Sequence, residues 1–134
     1  MKVPFVNIGL QYKFLKDEII SKLDQILSQG EYILGKELEM FESEFSIFCG
    51  TKFAVGVGSG TDALFLSLKA LNIGEGDEVI IPVNTFVSTA STVANVRAQP
   101  IFVDVLDDFN IDPYKIEKAI TKKTKAIIPV HLTG

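Results

Sequence analysis

The sequence is short of several things, and each shortage excludes a class of protein. One cysteine, Cys49, among 134 residues leaves no internal disulfide and no cysteine-rich zinc site. One arginine, Arg97, stands among 13 basic residues, against 17 acidic ones and a net charge of -4. No clustered cationic stripe is available to neutralise phosphates, so nucleic acid is not an expected partner. The one histidine, His131, has no second His or Cys pair beside it, and no metal site is expected. No apolar run reaches the ~18–20 residues needed to span a bilayer, and no membrane partner is expected. The start, Met1-Lys2-Val3-Pro4-Phe5, has no apolar signal core. What is abundant is apolar surface: 47% of residues are hydrophobic and 22% charged, a balance that excludes a disordered tail. The composition points to a soluble, cytoplasmic α/β protein of about one domain's length.

Along the chain, two helices precede any strand. Phe14, Leu15, Ile19, Leu23, Ile26 and Leu27 recur at three- and four-residue steps, with Gly30 as a stop. A second helix carries Leu38, Phe41, Phe45 and Phe48 on one face and ends at Gly50. Glu37, Glu39, Glu42 and Glu44 read as its solvated face. The pattern then becomes strand, turn, helix, repeated. Strands are expected at residues 53–57, 78–81, 101–105 and 126–130. Helices are expected from about Thr61 to Leu71, from about Phe86 to Val96, and after the Asp112-Pro113 cap. Lys122, Lys123 and Lys125 read as surface. Apolar strands alternating with helices imply right-handed crossovers and a mainly parallel sheet with helices on both faces. Residues 1–50 form a helical segment and residues 51–134 an α/β unit. The sequence stops at Gly134 directly after an apolar strand, which reads as the N-terminal piece of a longer polypeptide.

Ligands of open α/β sheets bind outside the carboxyl ends of the strands. That rule selects Gly58-Ser59-Gly60-Thr61-Asp62, then Asn84-Thr85-Phe86, then Asp104 and Asp107, then His131. The first group joins a strand to a helix start. Its small residues allow close backbone approach, its N–H groups point at an anion, and Ser59 and Thr61 add hydroxyls. A phosphate suits that combination; a tight turn with a Ser/Thr cap accounts for the same residues. Gly58-x-Gly60-x-x-Ala63 also matches the dinucleotide fingerprint, but the following strand ends at Asn84 rather than an acid, and no Gly-Lys-Ser/Thr makes it a P-loop. Phe86 offers a ring for a flat cofactor, or a core side chain. Asp104 and Asp107 read as turn carboxylates before an acid–base pair, and Cys49 reads as a small core residue.

Five ordered motifs together carry a resemblance: Gly30-Glu31-Tyr32-Ile33-Leu34-Gly35, Gly58-Ser59-Gly60-Thr61-Asp62-Ala63-Leu64, Gly74-Glu75-Gly76-Asp77-Glu78-Val79-Ile80, Asn84-Thr85-Phe86-Val87-Ser88-Thr89 and Ile127-Ile128-Pro129-Val130-His131-Leu132. Their order and spacing resemble the N-terminal third of the DegT/DnrJ/EryC1/StrS aminotransferases, pyridoxal-phosphate enzymes that aminate nucleotide-linked keto-sugars in amino-sugar biosynthesis. The resemblance implies the large domain of the fold-type-I pyridoxal-phosphate architecture. It implies that Ser59, Gly60 and Thr61 hold the cofactor phosphate and that Phe86 stacks on the pyridine ring. It assigns Gly30, Glu31, Tyr32 and Ile33 to the sugar-nucleotide pocket, glutamate to the amino donor, and a homodimer with shared active sites to the assembly.

The family's Schiff-base lysine and the aspartate that pairs with the pyridine nitrogen lie beyond Gly134, so the resemblance assigns no catalytic residue within this chain. The 134 residues alone are expected to be inactive in transamination. The same scaffold also serves nucleotide-sugar dehydration, where histidine replaces the lysine, or a non-catalytic regulator. A nicotinamide-binding module is the remaining alternative, weakened by Asn84.

Overall fold

A computed structural model describes residues 3–132. Gly134, the boundary named for the absent lysine, lies outside the described residues. The chain divides into two compact units, Met1–Gly56 and Val57–Gly134.

The first unit is built from two helices. α1 (Ile8–Gln29) begins six residues before Phe14, because the Asn7 carboxamide accepts from the Leu10 N–H at 3.1 Å and caps it. It ends where Gly30 takes φ 73° and returns its N–H to the Ile26 carbonyl at 3.2 Å. α2 (Lys36–Cys49) opens with Glu37 and Glu39 in its first turn, where carboxylates oppose the positive end of the helix dipole. Phe41, Phe45 and Phe48 form a ladder along it, with ring centroids 5.5 and 6.2 Å apart. Neither helix contains a buried residue. Cys49 is exposed at the end of α2 rather than packed in a core, and among the described residues of this unit none is buried.

The second unit holds the sheet. β1 (Glu78–Pro82) is its centre, flanked by β2 (Gln99–Val103) and β3 (Thr124–Ile127), all parallel, in the order β2-β1-β3. The central position explains the composition of β1: Val79, Ile80 and Ile81 are fully buried, as a strand covered on both faces must be apolar throughout. α3 (Gly60–Ala70) and α4 (Val87–Asn95) pack together, and Leu68, Val93 and Val96 meet Val79 and Ile81 in one core. α5 (Pro113–Ala119) packs on β2, its start fixed by Asp112, whose carboxylate accepts from the Tyr114 N–H at 2.9 Å. The chain crosses from β1 to β2 through α4, then back past β1 to β3 through α5. Right-handed crossovers in opposite directions place those two helices on opposite faces.

Three expectations shift. The first is β3, expected at 126–130 and found at Thr124–Ile127, where its start is set by the pairing of Thr124 with Glu78 of β1. Residues 53–57 form no strand: a strand exists only as part of a ladder, and among the described residues this stretch has no partner. β2 sits two residues earlier than expected, in register with β1 from Glu78 opposite Gln99 to Pro82 opposite Val103. Among the described residues, no helix is long and apolar enough to cross a membrane.

Candidate cofactor and substrate site

The order β2-β1-β3 puts a topological switch between β1 and β3, where crevices open at the carboxyl ends of parallel strands. Asn84-Thr85-Phe86 follows β1 and His131 follows β3, so both flank this crevice. The Gly58–Thr61 turn joins them by connectivity. α3 runs about 16 Å at 1.5 Å per residue, and a short turn then feeds its far end into the start of β1. The beginning of α3 is thereby carried back towards the end of β1.

At that beginning, Ser59 is the N-cap, with extended φ −165° and ψ 167°. Its hydroxyl accepts from the Asp62 N–H at 3.1 Å and donates to the Asp62 carboxylate at 3.0 Å. The hydroxyl expected to face an anion is thus committed within the turn. The N–H groups of Gly60 and Thr61 and the Thr61 hydroxyl, by contrast, make no hydrogen bond among the described residues. They are the orphan donors of a helix start. A Cβ built on Gly60 would meet nothing within 4 Å, so the described residues leave the side-chain direction at Gly60 open. A Cβ on Gly58 would stand 2.8 Å from the Asp62 carboxylate, which would have to shift to admit a side chain there.

Phe86 caps α4 through its backbone, its carbonyl accepting from the Thr89 N–H at 3.0 Å, while its ring is 70% exposed. It is not a core residue. Beneath it, the Thr85 and Thr89 hydroxyls lie 2.8 Å apart, a pair that pins the bend carrying the ring. Sequence reasoning missed this pair, although Thr at i and i+4 across a helix start is a readable spacing.

In the first unit, residues 30–36 and Glu39 line a cavity of about 500 Å³. Gly30, Glu31, Tyr32 and Ile33 all belong to its wall. The Tyr32 hydroxyl donates to the Leu27 carbonyl at 3.0 Å, tying the loop back to α1. Leu34 takes φ 51°, a left-handed conformation that costs a non-glycine residue about 1–2 kcal/mol, and nothing in the sequence signals it. Gly35 follows so closely on Glu31 that a Cβ would stand 2.9 Å from the Glu31 carbonyl. The loop is wound tightly, with two carboxylates and the Lys36 ammonium around a small space.

The other rim residues resolve into structure. Lys115 donates to Asp104 at 3.0 Å, and the Val105 N–H donates to the same carboxylate at 2.9 Å. These hydrogen bonds and the lysine charge hold the Asp104 carboxyl below its ordinary pKa and Lys115 above its own. Asp104 is an ion-pair partner and not half of an acid–base pair with Asp107. Asp77, which precedes β1 and does not end it, accepts from the Gly74 N–H at 3.0 Å within its own turn. His131 is exposed.

Comparison with known proteins locates this architecture. The model of the DegT/DnrJ/EryC1/StrS aminotransferase family matches residues 13–134. The chain is 45% identical to the dTDP-3-amino-3,4,6-trideoxy-alpha-D-glucose transaminase of Streptomyces venezuelae over 99% of its own length and 35% of the relative's. It is 43% identical to a pleiotropic regulatory protein of Geobacillus stearothermophilus over 100% of its length and 36% of the relative's. It superposes with a TM-score of 0.92 and 40% identity on Bacillus subtilis NtdA, solved with bound cofactor PMP, covering 98% of this chain and 31% of that one. The chain thus spans about a third of the length of the relatives it matches. Its parallel sheet and flanking helices are in line with the fold-type-I pyridoxal-phosphate enzymes.

Proposed function

Because the chain belongs to the DegT/DnrJ/EryC1/StrS aminotransferase family, we propose that it builds the phosphate-and-ring side of the active site in an enzyme that aminates a nucleotide-linked keto-sugar, with glutamate as donor. One observation carries the reading: the Gly60 and Thr61 donors at the start of α3 are unpaired among the described residues, and the Phe86 side chain after β1 is left uncovered. Those groups suit pyridoxal phosphate, whose phosphate needs N–H and O–H donors at a helix start and whose flat ring needs an aromatic face.

In this reading the Gly60 and Thr61 N–H groups and the Thr61 hydroxyl bind the phosphate. Ser59 holds the turn in shape through Asp62 and contributes backbone. Phe86 covers one face of the pyridine ring and keeps water from it. Pyridoxal phosphate, when bound, supplies the electron sink that lets an amino group leave one carbon and join another. Gly30, Glu31, Tyr32 and Ile33 bind the sugar nucleotide, with the Glu31 carboxylate as acceptor for sugar hydroxyls and neighbouring Lys36 as a cation for phosphate.

The protein works as a homodimer with shared active sites; the uncovered ladder of Phe41, Phe45 and Phe48 supports a need for further protein surface against the first unit. The exposed Cys49 thiol suits the reducing cytoplasm. A regulatory role is the second reading, favoured by the name of the Geobacillus relative. The whole protein containing this chain, given pyridoxal phosphate, glutamate and a nucleotide-linked keto-sugar, decides the matter. Labelled nitrogen passing from glutamate to the sugar supports amination. Sugar converted without nitrogen transfer means dehydration, and bound cofactor with no sugar conversion means regulation.

A further inference from the structure

Thr89 and Thr92 are both buried in α4, and they spend their hydroxyl protons differently. Thr92 donates to the Ser88 carbonyl at 2.8 Å, four residues back in the same helix. Thr89 has no helical carbonyl at that distance, because α4 begins at Val87 and Thr85 precedes it. Among the described residues its hydroxyl meets one partner, the Thr85 hydroxyl at 2.8 Å. One of the two must donate, and burial decides which. A buried hydroxyl proton with no acceptor costs more than a hydrogen bond is worth, whereas a half-buried one can turn to water or to a ligand. Thr89, 4% exposed, therefore donates, and Thr85, half-buried, accepts. The Thr85 proton is left without a partner among the described residues.

That proton stands where a ligand can use it. Thr85 follows the end of β1, the central strand, at the carboxyl edge where open sheets take their ligands, and its neighbour in the chain is the exposed Phe86. A hydroxyl whose oxygen already accepts one bond is held in place and donates more strongly. We propose that Thr85 is a further cofactor-binding residue: its hydroxyl donates to an acceptor atom of the pyridoxal phosphate that Phe86 covers. Thr89 is then the positioning residue, which holds the Thr85 hydroxyl by donating to its oxygen and touches no ligand. This rests on the assignment of Phe86 to the pyridine ring. Thr85, Phe86 and Thr89 all belong to the second unit, within a single turn of chain.

The test uses the whole protein and two readouts, the Kd for pyridoxal phosphate and the melting temperature of the cofactor-free form. The informative variant carries Thr85→Val and Thr89→Val in the same chain. It removes both hydroxyls at nearly constant shape, so no buried proton is stranded and the melting temperature should stay close to the parent's. Binding is expected to weaken about three- to tenfold, the effect of one hydrogen bond. Thr85→Ser keeps a hydroxyl and is expected to stay within about twofold of the parent. Phe86→Ala is the reference and must weaken binding. If it does not, the ring assignment falls, and this inference with it. If Phe86→Ala weakens binding while the paired substitution leaves Kd unchanged, the two threonines are structural and the proposal is overturned. Weakening that Thr85→Ser shares, or that comes only with a lower melting temperature, overturns it as well. Should the paired substitution fail to fold, Thr85→Ala, which leaves room for a water to accept from Thr89, is read by the same criteria.

Discussion

Replacing Phe86 by alanine separates a ring that serves a ligand from a ring that serves the fold. The structural work of this residue is done by its backbone, which caps α4 and accepts from the Thr89 N–H at 3.0 Å. Alanine keeps both. The side chain is 70% exposed, and full burial of a phenylalanine is worth about 1.5–3 kcal/mol. The fold should therefore lose about 1 kcal/mol or less. A ring stacked on a bound pyridine gains about 0.5–1.5 kcal/mol beyond the area it covers. Together with that area, the loss on truncation comes to about 1–2 kcal/mol of cofactor binding, or about five- to thirtyfold in Kd. The assay is a titration of the whole protein with pyridoxal phosphate, followed by its bound absorbance, beside a thermal melt of the cofactor-free form. A clear fall in melting temperature with unchanged Kd would refute the reasoning and return Phe86 to the fold.

Three further outcomes are expected. Ile81→Ala removes a fully buried side chain from the central strand and should cost about 2–5 kcal/mol in urea unfolding; a loss under about 1 kcal/mol would mean that β1 is not the centre of the core. Asp112→Ala removes the cap that accepts from the Tyr114 and Lys115 N–H groups at 2.9 and 3.3 Å, and should cost about 0.5–2 kcal/mol by the same measurement. The Asp104–Lys115 pair gives stability a dependence on pH at both extremes. Asp104 titrates below its ordinary 3.8 in the folded chain, so its contribution is present above that value and drains away as pH falls through the folded pKa. Lys115 titrates above its ordinary 10.5, so its contribution is present below that value and is lost as pH rises through the folded pKa. Asp104→Asn should flatten the acid limb of the stability curve, and an unchanged limb would show that the pair does not form in solution.

The helices and the central strand were legible because their signals are local. Three- and four-residue apolar steps, Gly30 and Gly50 as stops, and the unbroken Val79-Ile80-Ile81 run each describe a structure by themselves. The misreadings concern distant partners. Residues 53–57 are as apolar as a strand but lack a ladder among the described residues, and β2 takes its limits from its register with β1. Asp104 was read as a turn carboxylate, but its ion-pair partner, Lys115, stands eleven residues away and was not visible in the pattern. Glu42 was read as solvated, but the Gly56 N–H, fourteen residues downstream, donates to its carboxylate at 2.6 Å. At the site, the Gly60 and Thr61 donors follow directly from a helix start. The commitment of the Ser59 hydroxyl to Asp62 depends on a rotamer that no residue pattern encodes.

The central claim is that the bend before α3 holds a phosphate, and the most direct measurement compares pyridoxal phosphate with phosphate-free pyridoxal. Their affinities should be taken for the whole parent protein and for Thr61→Ala. If Thr61 serves the phosphate, the substitution should weaken pyridoxal phosphate by about 1–2 kcal/mol and leave pyridoxal unchanged, the coupling expected of two groups in contact. Equal weakening of both ligands, or of neither, would contradict the account.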